Sequence, residues 1–253
     1  MDFRTVRCYK VCNAIALQTA AFLRAADGLQ FLIFFAVKGV EIIVTRGSSP
    51  QNGCLIPGSP LSQLLTIASG NPIKVAEIEA MLGPLPLLVQ RQPDDLDVEE
   101  TGDTYQENAD LKATAAALRT NGWAIADDSG LEVDALQGAP GLYSARYATG
   151  DQAKVQRILD ELGDIPYRSA CFKSTMVLSD PMGNCVAAAE GVCWGEILKA
   201  PAYADGGYES LLWVREAGCT YGQLNGSQLS RLGSRGKAAR ALATHLQKYL
   251  NLR

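Results

Sequence analysis

Apolar positions change their spacing along the chain, and the changes mark out the elements. Leu64-Leu65-Thr66-Ile67-Ala68 is a short apolar run and predicts a strand. After it, Val75, Ile78, Met81 and Leu82 fall on one face of a helix that opens at Pro72 and closes at Gly83. Proline suits that first helical position, where its missing N–H costs nothing. Leu87-Leu88-Val89-Gln90 predicts a second strand. Thr104 and Glu107 stand in capping-box spacing, so an alanine-rich helix starts there and runs to about Asn121, with Gly122 as its stop. Trp123-Ala124-Ile125-Ala126 reads as a buried strand ending abruptly at Asp127-Asp128-Ser129-Gly130. Gly138-Ala139-Pro140-Gly141 is a tight turn, and Asp151 caps a helix over 152–162 that Gly163 ends. Two strands, 167–179 and 184–198, are joined by the hairpin turn Asp180-Pro181-Met182-Gly183. Pro201 to Gly207 is a loop, and a last helix runs from near Ser234 to about Leu250.

Residues 1–60 follow a different pattern, and the folded pattern begins sharply at Leu61. Phe31 to Val37 is strongly apolar, but Arg24, Asp27, Lys38 and Glu41 interrupt its surroundings. A membrane span needs about 20 nearly uncharged residues, so no membrane is expected. Asp2 follows Met1 and no cleavage site stands out, which argues against a secretory signal. Ser48 to Pro60 reads as a linker. The expectation is an extension that is disordered, or translated from a start upstream of the native one, ahead of one domain over 61–253.

Composition narrows the classes. Hydrophobic residues make up 47% and charged residues 20%, ordinary for a globular protein. A formal net charge of −4 argues against a nucleic-acid partner, which would need a basic stripe. It leaves room for a small anionic substrate met by local cations. The cysteine count is 7, and no Cys-x-x-Cys occurs, so neither a disulfide framework nor a zinc knuckle is indicated. Reduced thiols and a cytoplasmic location are the simplest reading. His245 is the only histidine and reads as a helix-face residue. Any catalysis therefore runs on carboxylates, lysine and arginine.

The tip of the buried strand carries the chemistry. Carboxylates there are costly unless a cation offsets them, and hard oxygen ligands suit Mg²⁺. Side chains alternate along a strand, so only one of Asp127 and Asp128 faces a given site. Taken alone, the segment is an ordinary Asp-Ser-Gly turn; its companions decide otherwise. Ser69-Gly70-Asn71-Pro72-Ile73-Lys74 joins a strand to a helix N-terminus with a lysine in the first turn, a plausible phosphate receptor, though not a Walker loop. The acidic run from Asp94 ends in Glu99 and Glu100, either a solvated loop or a pair of metal-binding glutamates delivered just ahead of a helix. Asn108 and Lys112, one turn apart, face the same cleft. Lys74, one of the two glutamates, Asp128, Ser129 and Arg235 together form a metal-and-phosphate inventory with one carboxylate to spare as a base.

From Leu64 to Leu250 the order of these pieces resembles the inosine triphosphate pyrophosphatase family, the dITP/XTP pyrophosphatases. The matching motifs are Ser69-Gly70-Asn71-x-x-Lys74, Glu100-Thr101-Gly102-x-Thr104-Tyr105-x-Glu107-Asn108-Ala109, Ala126 to Val133, and Gly138 to Tyr147. The resemblance implies an elongated α/β fold, a mixed sheet flanked by helices with the nucleotide in a central cleft. It implies a Mg²⁺-dependent homodimer that cleaves a nucleoside triphosphate to the monophosphate and pyrophosphate. Carried over, Ser69 to Lys74 would hold the triphosphate, and Glu99 or Glu100 with Asp128 would serve the metal. Asp128 would also be the base for a water attacking the α-phosphorus, and Ser129 would contact substrate.

The departures fall on the base side. The family's Gly-Gly-Phe-Gly-Tyr-Asp-Pro is here Gly206-Gly207-Tyr208-Glu209-Ser210-Leu211-Leu212, so Tyr208 is left to stack on the purine and the aspartate is missing. Ser-His-Arg is here Gly233-Ser234-Arg235, and the family's lysine ahead of it aligns with Leu229, near Arg231. A site that loses a base-edge hydrogen bond discriminates less sharply. Hydrolysis of deaminated purine nucleoside triphosphates (ITP, dITP, XTP) is therefore the leading expectation. The rivals are the same chemistry with altered or relaxed base choice, and a non-catalytic nucleotide-binding protein.

Overall fold

The computed structural model describes residues 63–83 and 85–252, with the short strands β1 (Phe22–Arg24) and β2 (Gln30–Leu32) ahead of them. The chain divides into Met1–Ser59 and Pro60–Arg253. In the first unit β1 and β2 form an antiparallel ladder, with Phe22 opposite Leu32. The expectation for the rest of 1–60 lies outside the described residues. Among the described residues no helix is long and apolar enough to cross a membrane.

The second unit is built on one seven-stranded mixed sheet of order β4-β3-β5-β6-β7-β8-β9. The predicted mixed sheet flanked by helices is what forms. Strand β3 (Gln63–Ile67), helix α1 (Pro72–Leu82) and strand β4 (Leu87–Arg91) make a parallel crossover unit. Helix α2 (Tyr105–Thr120) then returns the chain to β5 (Trp123–Val133), which lies parallel to β3 on its other side. Strands β6 (Ser169–Ser179) and β7 (Cys185–Ile197) extend the sheet antiparallel, followed by β8 (Leu212–Val214) and β9 (Cys219–Thr220).

Alternation along β5 sorts the core. Ile125 joins Leu65, Ile67 and Ile78 on the face covered by α1 and by the last helix, α5 (Ser234–Tyr249). Each such side chain contributes about 1.5–3 kcal/mol on full burial. Ala124 and Ala126 point the other way, onto Ala109, Ala113, Ala116 and Ala117 of α2. Small residues on both surfaces let that helix lie close against the sheet. Leu131 and Val133 continue into a further cluster with Val155, Ile158 and Leu162 of α3 (Asp151–Leu162).

Several boundaries differ from the pattern reading, each for a local reason. β5 does not stop at the paired aspartates; it runs on to Val133 because β6 pairs with it along that length, Val133 lying opposite Ala170. α2 closes at Thr120 with Asn121, not Gly122, as its stop, since asparagine tolerates the left-handed conformation it adopts at φ 47°. Asp151 is the first residue of α3 rather than its cap, which is Gly150 at φ 87°. The helix α4 (Gly226–Leu232) was not anticipated, because seven residues are too few to display a period.

At one point backbone meets backbone. A Cβ on Gly191 of β7 would lie 2.0 Å from the Ser234 carbonyl oxygen and 2.6 Å from the Ala238 nitrogen of α5. Neither neighbour can rotate away. Gly191→Ala is therefore expected to lower the stability of the folded chain by about 1–3 kcal/mol, as overpacking does. Urea unfolding checks this, and an unchanged midpoint would refute the close docking of α5 on β7.

Candidate active site

The site exists because two parallel neighbours have unequal lengths. β3 pairs with β5 only from Leu65 opposite Trp123 to Ile67 opposite Ile125. Ala68 still donates its N–H to the Ile125 carbonyl at 2.7 Å, after which β3 turns away. β5 continues alone on that edge, so Asp127 and Asp128 sit just beyond the carboxyl end of β3. Crevices of this kind, at the carboxyl ends of parallel strands, are where open α/β sheets take their ligands.

The turn leaving β3 forms one wall. Asn71 caps α1, its Oδ1 accepting from the backbone N–H of Ile73 at 2.9 Å and of Lys74 at 3.4 Å. Its own N–H donates to Ser69 Oγ at 3.2 Å. Arg91 at the end of β4 holds the turn from below through the Gly70 carbonyl at 3.3 Å. Lys74, thus oriented, brings its ammonium within 3.6 Å of Asp127 Oδ2.

Asp127 is the anchor of the opposite wall, with its side chain only 2% exposed. Arg235 donates to its Oδ2 from Nε at 3.1 Å, to Glu77 Oε2 from Nη1 at 2.6 Å and to Ser129 Oγ from Nη2 at 3.2 Å. Burial alone would raise the Asp127 carboxyl; Arg235 and Lys74 outweigh it and hold it below the ordinary carboxylate value. Its other oxygen, Oδ1, is buried without a hydrogen-bond partner.

On the far face of β5, Asp128 meets α2. Lys112 Nζ lies 2.7 Å from Glu100 Oε1, 2.9 Å from Asp128 Oδ1 and 3.0 Å from the Asp127 carbonyl. Burial raises the Asp128 carboxyl above its usual value, Lys112 offsetting only part of the effect. In Glu100 the balance is reversed: burial raises, but Lys112 prevails and the net shift is downward. Burial would lower Lys112, yet the two carboxylates keep it above its ordinary value. Adjacent aspartates are thus shifted in opposite directions, Asp127 down and Asp128 up.

Ser69, Gly70, Asn71, Lys74, Glu100, Lys112 and Asp127 line one pocket of about 310 Å³. Ser129 and Arg235 adjoin it through Asp127, and Asp128 through Lys112. Other expected residues stand apart. Pro72 and Ile73 are exposed on the outside of the turn, and Glu99 points to solvent beside Glu100. Tyr208 is packed in the core near α3 and donates its hydroxyl to the Ser144 carbonyl at 3.2 Å. Ser234 is buried against Ser174, Oγ to Oγ 2.9 Å. Asn108 is also buried rather than in the cleft; it accepts from the Gly102 N–H at 2.8 Å and so fixes the segment that carries Glu100.

Three participants were not singled out from sequence. Asp127 could not be preferred over Asp128, because alternation says that one faces the cleft but not which. Glu77 lies one helical turn after Lys74, and that spacing was a usable signal. Arg146, whose Nη1 is 3.9 Å from Glu100 Oε2, ends a short 3-10 helix over Gly141–Arg146; it lies inside the Gly138 to Tyr147 motif, but no spacing ties it to Glu100. Among the described residues no group of three or more His, Cys, Asp or Glu side chains is arranged around a metal position. The oxygens that do converge are Glu100 Oε1, Asp128 Oδ1 and the Asp127 carbonyl, hard donors that fit a magnesium-like ion. A larger pocket, about 610 Å³, is lined by Asp103, Glu107, Asp110, Glu132 and Glu190 against Lys173, and would repel a polyanion.

Comparison with known proteins agrees on one family. Residues 65–245 match the model of the Ham1 family. The chain is 45% identical over 190 residues to a dITP/XTP pyrophosphatase of Synechococcus sp. (strain CC9311), covering 75% of this chain and 92% of that protein. It is 41% identical over 192 residues to the dITP/XTP pyrophosphatase of Nostoc sp. (strain PCC 7120), covering 76% and 98%. The Ham1 protein of Staphylococcus aureus superposes with a TM-score of 0.66 at 36% identity, over 74% of this chain and 99% of that one. A HAM1 protein from Coxiella burnetii gives 0.67 at 34%, again over 74% and 99%. The crevice beyond β3 is therefore set in a known framework, and the chain belongs to the Ham1 family.

Proposed function

We propose that this chain is a nucleoside triphosphate pyrophosphatase that hydrolyses deaminated purine nucleotides such as dITP, XTP and ITP to the monophosphate and pyrophosphate. One observation carries the reading: the lysine-bearing turn and the acidic tip of β5 meet across one pocket, Lys74 Nζ to Asp127 Oδ2 at 3.6 Å. The names of the cyanobacterial relatives support the substrate class.

The residues divide the work by their electrostatics. Lys74, Lys112 and Arg146 supply positive charge to a bound triphosphate, and the Ser69 to Lys74 turn offers it the start of α1. Asp128, raised by burial, takes the proton of a water directed at the α-phosphorus. Asp127 stays ionised and, through Arg235, keeps Ser129 and the α5 terminus in place. Glu100 and Asp128, rather than Glu99, would hold Mg²⁺. When bound, that ion would offset charge developing on the leaving pyrophosphate. A non-catalytic binding role is disfavoured, since binding an anion gives no reason to keep Asp128 beside it.

A specific observation favours a second reading, the same hydrolysis with relaxed base choice. Tyr208, Ser234 and Leu229 are each engaged in packing or internal hydrogen bonds. Glu209, the nearest substitute for the missing aspartate, accepts instead from the Gly207 N–H at 2.8 Å. A homodimer in the cytoplasm is part of the same proposal; the family resemblance supports the dimer, and free thiols such as buried Cys171 and Cys193 suit a reducing compartment.

Two experiments test this. Asp128→Asn should reduce Mg²⁺-dependent pyrophosphate release by about 10²–10⁴-fold while nucleotide affinity stays near wild type; retained turnover would exclude Asp128 as the base. In a panel of dITP, XTP, dGTP and dATP, the deaminated substrates should lead. Relaxed base choice predicts that dGTP follows within about a hundredfold in kcat/KM, whereas a wider gap would show that some other group reads the base.

A further inference from the structure

Lys112 stands where the walls of the pocket come together. Three oxygens from three different groups surround its ammonium at 2.7, 2.9 and 3.0 Å, and the side chain is only 15% exposed. The geometry around Asp127 explains the third. The Ile125 carbonyl is turned toward β3, where it accepts from Ala68. Two residues on, Asp127 presents its carbonyl at the same edge, where β3 has ended and no strand can use it. An ammonium has three donors and no acceptor, so it fills this oxygen cage completely. The same three oxygens are those that fit a divalent ion.

A divalent ion and an ammonium cannot share a cage of this size, because like charges a few Å apart repel in a partly buried site. We propose that Lys112 is a resident counter-cation that holds the metal's place between turnovers. The divalent ion then enters only when a triphosphate offers the ammonium other oxygens. This rests on the reading of Glu100 and Asp128 as metal ligands. Lys112 is suited to the exchange, being a point charge on a flexible four-carbon stem. Lys74 lies on the opposite wall, 3.6 Å from Asp127 Oδ2, and has no part in the oxygen cage around Lys112. The arrangement makes metal affinity conditional on substrate. It also gives Lys112 a positioning role distinct from that of an ordinary ion pair: removing a positive charge should tighten cation binding to the free protein.

Mn²⁺ binding to the full chain, followed by electron paramagnetic resonance, separates the alternatives. Wild type should bind Mn²⁺ weakly alone and at least about tenfold more tightly with an α,β-methylene purine triphosphate. Lys112→Met should bind Mn²⁺ without nucleotide at least about tenfold more tightly than wild type. Unchanged or weaker binding in that variant overturns the exchange. If Lys112→Met does not fold in metal-free buffer, recovery of its helical circular dichroism on adding Mn²⁺ supports the exchange, and no recovery overturns it. Asp128→Asn isolates the underlying reading. If the nucleotide-dependent Mn²⁺ site survives that substitution, the assignment of the metal ligands fails; if it is lost while Lys112→Met behaves as wild type, only the exchange fails.

Discussion

Two acidic side chains buried side by side are the constraint on which the rest of the molecule depends. Asp127 and Asp128 occupy a strand whose first four residues are apolar, with Ala126 before them and the buried Leu131 soon after. Left unpaired, either carboxylate would cost several kcal/mol to bury. Because they point to opposite faces, they cannot share a partner side chain, and the structure answers each from a different direction. Arg235 and Lys74 reach Asp127 from α5 and α1, and Lys112 reaches Asp128 from α2.

Meeting those needs dictates the packing. Lys112 can reach Asp128 because the alanines of α2 and of β5 let the helix lie close to the sheet. Arg235 can reach Asp127 because Gly191 admits the first turn of α5 against β7, and Ser234 is tied to Ser174 of the neighbouring β6. Lys74 is aimed by the Asn71 cap and by Arg91 beneath the turn. Helix termini, a glycine and a row of alanines thus act together to place three cations around two acids. Held so near anionic groups, those cations are also what a polyphosphate would compete for. The crevice left by the early end of β3 is where it would enter.

Much of this was legible in the sequence. The helix starts at Pro72 and Thr104, the β6–β7 hairpin and the phosphate-receptor turn all follow from local rules that the tertiary structure does not override. Lys74, Asp128 and Arg235 could be named because each sits in a motif or a spacing with a physical meaning, while the acidic run left Glu99 and Glu100 as equal candidates. What could not be read was contact between distant segments. The choice between Asp127 and Asp128 depends on where β3 ends, and the length of β5 depends on its pairing with β6. Tyr208 carries an aromatic ring suited equally to a ligand or a core; the hydrogen bond to Ser144 that keeps it inside spans 64 residues. Ser234 looked like a substrate contact by its neighbour Arg235, yet the same helix turn that aims the arginine at Asp127 turns the serine onto Ser174.

The most direct test of the account is a structure of the chain with Mg²⁺ and a non-hydrolysable dITP analogue. The account predicts a triphosphate lying between the Ser69 to Lys74 turn and the tip of β5, with Lys74 on its outer phosphates and Asp128 nearest the α-phosphorus. A nucleotide seated in the acidic pocket near Glu132 and Glu190, or one touching only one of the two walls, would contradict it.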